Sequence, residues 1–265
     1  MVLKDQGLEQ LVGFAKEVIR RCGEESLNYY GKGSSHMKFD ETLVTEAELH
    51  LREFFQDHLY THFPEHQVFS NNQERQGYTH EGKRYLWIFD ALDGVANFQA
   101  GIPVWGISVA LLENFWPLLG MFYMPVTNDL FQACAGAKAF RGDEEIRISG
   151  QEIIDDESLL LTYSRFHRRY QSLFPGKMRD LGCTGAHLCY VAMGRAEAAI
   201  IANETYQNLG AFSIIIEAAG GNIYNMDGGS FSLNEYMDGR RIDDPLIVTT
   251  ANIYSQVRDS LREIS

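Results

Sequence analysis

Positive charge is in short supply in this chain. Its 265 residues hold 23 lysines and arginines against 36 aspartates and glutamates, a formal net charge of −13, and such a field repels phosphate backbones and anionic lipid. Nucleic acid and membrane are therefore not expected as partners. Cysteine is sparse too: Cys22, Cys134, Cys183 and Cys189 form no CxxC pair, so neither a disulfide framework nor a zinc site is expected, and the thiols read as reduced and mostly buried. No stretch approaches the roughly 18 consecutive apolar residues of a membrane span; the run at 214–216 ends in Glu217. The opening residues MVLKDQGLEQLVGFAKE alternate charged and apolar positions and lack the apolar core of a signal peptide, so a cytoplasmic address is expected.

What is present is the composition of a folded globular protein, with 45% hydrophobic and 12% aromatic residues. Leu8, Leu11, Val12, Phe14, Ala15, Val18 and Ile19 share the spacing of one helix face, predicting a long opening helix that stops at Gly31 and Gly33. A second helix is expected after Thr45 as its cap, ending before Pro64. YLWIFDAL, GISVALLEN, PLLGMFYMP and DLFQACAGAKAFR read as strands of one meandering sheet. Beyond Ser149 short apolar strands, SLLLTYS and AAIIANE, alternate with the helical segments CTGAHLCYVAMGR and LGAFSIIIEAAGG. The predicted division is a helix-plus-sheet domain over 1–148 and an α/β domain over 149–265, with a cleft between them.

Chemistry concentrates in residues 87–112, WIFDALDGVANFQAGIPVWGISVALL. A strand delivers Asp90, Asp93 follows three residues later, and Gly94 permits a tight turn into a segment with free backbone donors. Two carboxylates on such a turn can share a hard cation, and the neighbouring N–H groups can receive a phosphate oxygen. By spacing alone, a turn with two capping aspartates is an equal alternative.

The longer run resembles the signature of the inositol monophosphatase family, W-[IV]-[IV]-D-P-L-D-G-T-T-N-F, with Trp87, Ile88, Asp90, Leu92, Asp93, Gly94, Asn97 and Phe98 in register. LVTEAE, DLFQACAGAKAFRG, RDLGCTGAHLCYVAMGRAEAAI and IIIEAAGGNIYNMDG resemble further family motifs in the same order. The resemblance implies a five-layered αβαβα fold of the α/β class, a homodimer, and Mg²⁺ ions that meet a small phosphorylated ligand, a phosphomonoester, between the halves. It implies Asp90 as the bridging metal ligand, the Leu92 carbonyl and the Asp93 carboxylate as further ligands, and the N–H groups of Gly94, Val95 and Ala96 as phosphate donors.

The departures fall on that same chemistry. Where the family has a GEE motif the chain reads VFSNNQE, with Asn71 and Asn72 at the acidic positions; Val95 and Ala96 replace two threonines; and Gln207 and Asn208 stand where the family has Trp and a metal-binding Asp. At an effective dielectric near 20, a carboxylate about 4 Å from a cation contributes roughly 4 kcal/mol before desolvation, so losing several weakens metal binding severely. Glu48 and Glu197, where Asp is common, keep their charge. Glu74 and Glu204 are candidate replacements, Glu204 being read chiefly as a solvated loop charge. The expectation is a degraded site at Asn71, Val95 and Asn208, with Mg²⁺ weak or absent and weak or no hydrolysis. An active phosphomonoesterase with altered ligands, or a non-catalytic interaction protein, are the alternatives.

Other features carry less. His58, His62 and His66 recur every four residues, but Pro64 interrupts the helix and no zinc-protease glutamate follows His58, so they read as surface histidines. Arg165, His167, Arg168, Arg169 and Arg179 form a basic cluster, expected as a solvated helix face or as a surface that meets an anion.

Overall fold

The computed structural model describes residues 2–33, 41–69 and 84–264. Two helices, α1 (Val2–Ser26) and α2 (Glu41–His62), precede a seven-stranded sheet in simple sequential order: β1 (Gln67–Val68), β2 (Tyr85–Asp93), β3 (Gly106–Glu113), β4 (Trp116–Met124), β5 (Asp129–Cys134), β6 (Ala139–Arg141) and β7 (Glu144–Ile146). The short helix α3 (Val95–Ala100) interrupts the sheet after β2. The second sheet contains β8 (Leu159–Thr162), β10 (Lys177–Arg179), β11 (Ala198–Ile201), β12 (Asn222–Asn225) and β13 (Leu246–Thr249), in the order β10-β8-β11-β13-β12. Strand β9 (Tyr170–Ser172) pairs with β14 (Leu261–Glu263) beside it. Helices α4 (Thr184–Ala192) and α5 (Tyr206–Ala218) lie between the two sheets, and α6 (Ala251–Asp259) covers the outside of the second. These are the five layers the resemblance implies.

Strand alternation builds the layers. Trp87, Phe89 and Ala91 of β2 point at α1 and α2, where Phe55 stacks on Phe89 with ring centroids 4.3 Å apart. Leu86 and Ile88 point the other way, into the core that α5 shares, where Phe122 meets Phe212 at 5.1 Å. The period of two therefore turns Asp90 toward α5, on the side of Ile88. Gly120 of β4 lets α5 come close: a Cβ there would strike the backbone carbonyl of Ala211.

Several expectations are corrected. Helix α1 ends at Ser26, before a turn that leads to Gly31 at φ +71°. Helix α2 starts at Glu41, so Thr45 is an exposed residue inside it rather than its cap; the buried stripe Val44, Ala47, Leu51, Phe55 and Leu59 already begins at Val44 and carries the helix past it. DLFQACAGAKAFR divides into β5 and β6 because Gly136, at φ +71°, turns the chain back. His66 is buried, and its Nδ1 accepts from Trp87 Nε1 at 2.9 Å. The basic cluster is split between a short 3-10 helix (Phe166–Arg168) with its two flanking residues and strand β10, rather than lying on one α-helix face, and Arg169 is paired with Asp244 and Glu263. The four cysteines, by contrast, are free thiols with three of them buried, as expected.

Candidate active site

Asp90 and Asp93 reach the same cleft only because β2 is irregular between them. Asp90 faces Ser108 and Asp93 faces Gly106 across β3, so three steps on β2 match two on β3. In a regular strand residues three apart point to opposite faces; the bulge absorbs one residue and brings the second carboxylate back. Leu92 and Ala91 are both buried in the α1–α2 core. Gly94, at φ +83°, turns the chain into α3, whose first residues are Val95 and Ala96. Asn97 locks the turn by donating from Nδ2 to the carbonyls of Val104 and Leu181, each at 2.7 Å.

Helix α5 brings its first turn against the end of β2. Gln207 Nε2 donates to the Phe89 carbonyl at 2.6 Å, and Asn208 Nδ2 donates to Asp90 Oδ2 at 3.1 Å. The Asn208 amide is oriented by Thr205, the α5 N-cap, whose hydroxyl donates to Asn208 Oδ1. Helix α4 approaches Asp93: Thr184 N donates to Oδ1 at 3.3 Å, while Gly185 N and Cys183 Sγ donate to Oδ2. The structure thus brings together Asp90, Asp93, Gly94 and Asn208 as the motifs required. Val95 packs its side chain against the α1–α2 core, and Ala96 is exposed. Asn71, Asn72 and Glu74 lie outside the described residues.

Glu204 corrects the reading of a solvated charge. It is 7% exposed, and its Oε1 accepts from Thr184 Oγ1 at 2.8 Å. Its backbone is fixed by pairing with Ile242, which explains why a loop residue turns inward. Thr184 was not singled out from sequence; the available signal was its position at the start of a helix whose first N–H groups lack partners within the helix. Glu197 is structural, its Oε2 accepting from Leu159 N at 2.5 Å, whereas Glu48 is half-buried on α2 in an ion pair with Arg52 at 3.9 Å.

The cleft is electrostatically crowded. Burial first, and then the charge of Asp93, push the Asp90 carboxyl up to about 7. Burial, then Asp93, push Glu204 up to about 8. Asp93 is also raised by burial, against the opposing pull of the Gly185 N–H and the Cys183 thiol. Acids that hold their protons more tightly folded than unfolded add stability at low pH. That contribution is complete below about pH 4 and is lost as pH rises through about 7 to 8. Glu204→Gln, which keeps the acceptor for Thr184, is therefore expected to gain roughly 2 kcal/mol over the wild type at pH 8 and much less at pH 5. Urea melts at the two pH values measure this, and an equal difference at both would contradict it.

The inositol monophosphatase family model matches residues 7–260. The chain belongs to the inositol monophosphatase family. Among its family relatives, a fructose-1,6-bisphosphatase/inositol-1-monophosphatase of Aquifex aeolicus is 24% identical over 88% of this chain and 91% of that protein. Inositol monophosphatase 1 of Solanum lycopersicum is 28% identical over 87% and 89%. The solved structure of an inositol monophosphatase from Thermotoga maritima superposes with a TM-score of 0.76 at 23% identity, covering 95% of this chain and 96% of that one, which places the fold within the family.

Among the described residues, the donors do not fit the multi-ion Mg²⁺ centre that the inositol monophosphatase resemblance implies. A hard cation needs oxygen lone pairs, yet Asn208 turns its N–H₂ to Asp90 and keeps its oxygen on Thr205. Asp93 Oδ2 accepts from both Gly185 N and Cys183 Sγ and Oδ1 from Thr184 N, so three donors compete with a cation for this carboxylate. Among the described residues, no three His, Cys, Asp or Glu side chains converge where a metal would sit.

Proposed function

We propose that this member of the inositol monophosphatase family has a degraded phosphatase site, with weak or no hydrolysis of phosphomonoesters. One observation carries the reading: the amide of Asn208 donates a hydrogen bond to Asp90 at 3.1 Å, where a shared cation calls for a second anion. The Val95 side chain, packed on the α1–α2 core, offers no hydroxyl to orient a water. What remains for Mg²⁺ is a weak site, one at most, on Asp90, the Leu92 carbonyl and Asp93. The N–H groups of Gly94, Val95 and Ala96 remain candidate donors to a small phosphorylated ligand.

A homodimer in the cytoplasm completes the proposal, together with the absence of nucleic-acid and membrane partners. The net charge of −13 supports the exclusion of nucleic acid. Among the described residues, no helix is long and apolar enough to cross a membrane. A second reading, an active enzyme with altered ligands, draws on the inward turn of Glu204, whose carboxyl bonds Thr184 beside Asp93.

The names of the relatives suggest the assay: inositol 1-phosphate and fructose 1,6-bisphosphate offered with millimolar Mg²⁺. Release of phosphate at the buffer background is expected. Turnover of about 1 s⁻¹ or more, ordinary for an enzyme, would establish the second reading.

A further inference from the structure

We propose that Asp90 and Asp93 serve in this chain as the acceptors of a metal-free clamp that fastens the end of β2 to the first turns of α4 and α5. The proposal rests on the degraded-site reading and adds a role for the carboxylates that survive.

Helix α4 has no cap of its own: its N-cap residue, Cys183, makes no side-chain hydrogen bond to the helix. Asp93, brought round by the bulge, takes that place from another layer of the fold. It accepts from Thr184 N at 3.3 Å, from Gly185 N and from Cys183 Sγ at 3.4 Å. The first N–H groups of a helix lack internal partners and carry the positive end of its dipole, so a carboxylate there is doubly favoured.

Helix α5 grips the same strand end with two consecutive amides, Gln207 on the Phe89 carbonyl at 2.6 Å and Asn208 on Asp90 at 3.1 Å. Asn208 is held rigid for this, since Thr205 Oγ1 accepts from its N–H at 3.2 Å and donates to its Oδ1. Thr184 then ties α4 to the approach to α5 through Glu204 at 2.8 Å. A shared cation would join three elements through anions; here N–H, O–H and S–H donors join them.

The test is thermal unfolding of the full-length protein in chelator and in millimolar Mg²⁺. The wild type is expected to melt within about 1 °C in the two buffers, because a ligand that binds the native state only in the millimolar range or weaker barely shifts its melting at millimolar concentration. Asp93→Asn, which turns an amide N–H₂ toward donors, is expected to lower Tm by about 5 °C in chelator, as loss of a helix cap does. If the carboxylates are only relic charges crowding Asp90 and Glu204, the same change raises Tm, and that result overturns the clamp while leaving the degraded-site reading intact. A large rise of the wild-type Tm in Mg²⁺ overturns the degraded-site reading and the clamp's independence of metal together. Should Asp93→Asn not fold, amide exchange of wild-type Thr184 and Gly185 in chelator decides the question: slow exchange supports the clamp and unprotected exchange overturns it.

Discussion

Asn71→Glu, Val95→Thr and Asn208→Asp made together are expected to raise Mg²⁺-dependent hydrolysis of a generic phosphomonoester on the order of 100-fold or more above the wild type. Each change alone should stay near background. Asn208→Asp replaces the donor now facing Asp90 with an anion, and two carboxylates so close repel unless a cation sits between them. Val95→Thr supplies a hydroxyl but no metal. Asn71→Glu supplies charge for a metal that the other two positions must help to hold. Ligands and water-orienting groups act as a unit, so a half-built shell leaves either metal or water misplaced. Initial rates of the triple variant and of the three single variants against Mg²⁺ concentration measure the effect. A wild type as active as the triple variant would instead favour altered ligands, with Glu74→Gln and Glu204→Gln as the next changes. A folded triple variant that binds Mg²⁺ without turnover would shift weight to an interaction protein.

The second large effect is mechanical. Gly120→Val should cost about 3 kcal/mol, and a Tm drop on the order of 10 °C, because its Cβ meets the Ala211 carbonyl of α5 rather than a side chain that can rotate away. Helix α5 must then back off from the sheet, and with it the Gln207 and Asn208 contacts to β2. Gly150→Ala, where an added Cβ finds nothing within 4 Å, is the control and should change stability by less than about 0.5 kcal/mol. Equal melting of the two variants would show that the close approach of α5 is not required.

The layers were legible because hydrophobic period follows the layer each segment occupies. YLWIFDAL became β2, and LGAFSIIIEAAGG supplied most of α5. The site was legible in part. Asp90, Asp93, Gly94 and Asn208 were placed in one cleft from motifs, and the structure gathers them. What strand alternation alone denies is the pairing of Asp90 with Asp93, since positions three apart face opposite ways; the bulge that unites them leaves no mark in the residue pattern. The inward turn of Glu204 is hidden from the sequence because loop charges are ordinarily solvated, and only its backbone pairing with Ile242 turns it inward. The burial of His66 is hidden because its partner, Trp87, is 21 residues away on a strand. The start of α2 is not marked at Thr45, because a good capping residue beside an acidic turn looks the same inside a helix as at its start.

The most direct test of the cleft's altered chemistry is a calorimetric titration of Mg²⁺ into the wild-type protein. With one hydrogen-bond donor facing Asp90 and three donors from the start of α4 competing for Asp93, binding is expected only in the millimolar range or weaker, at one site at most, because charge count tunes affinity for hard cations. Two sites filled at submillimolar Mg²⁺ would contradict it.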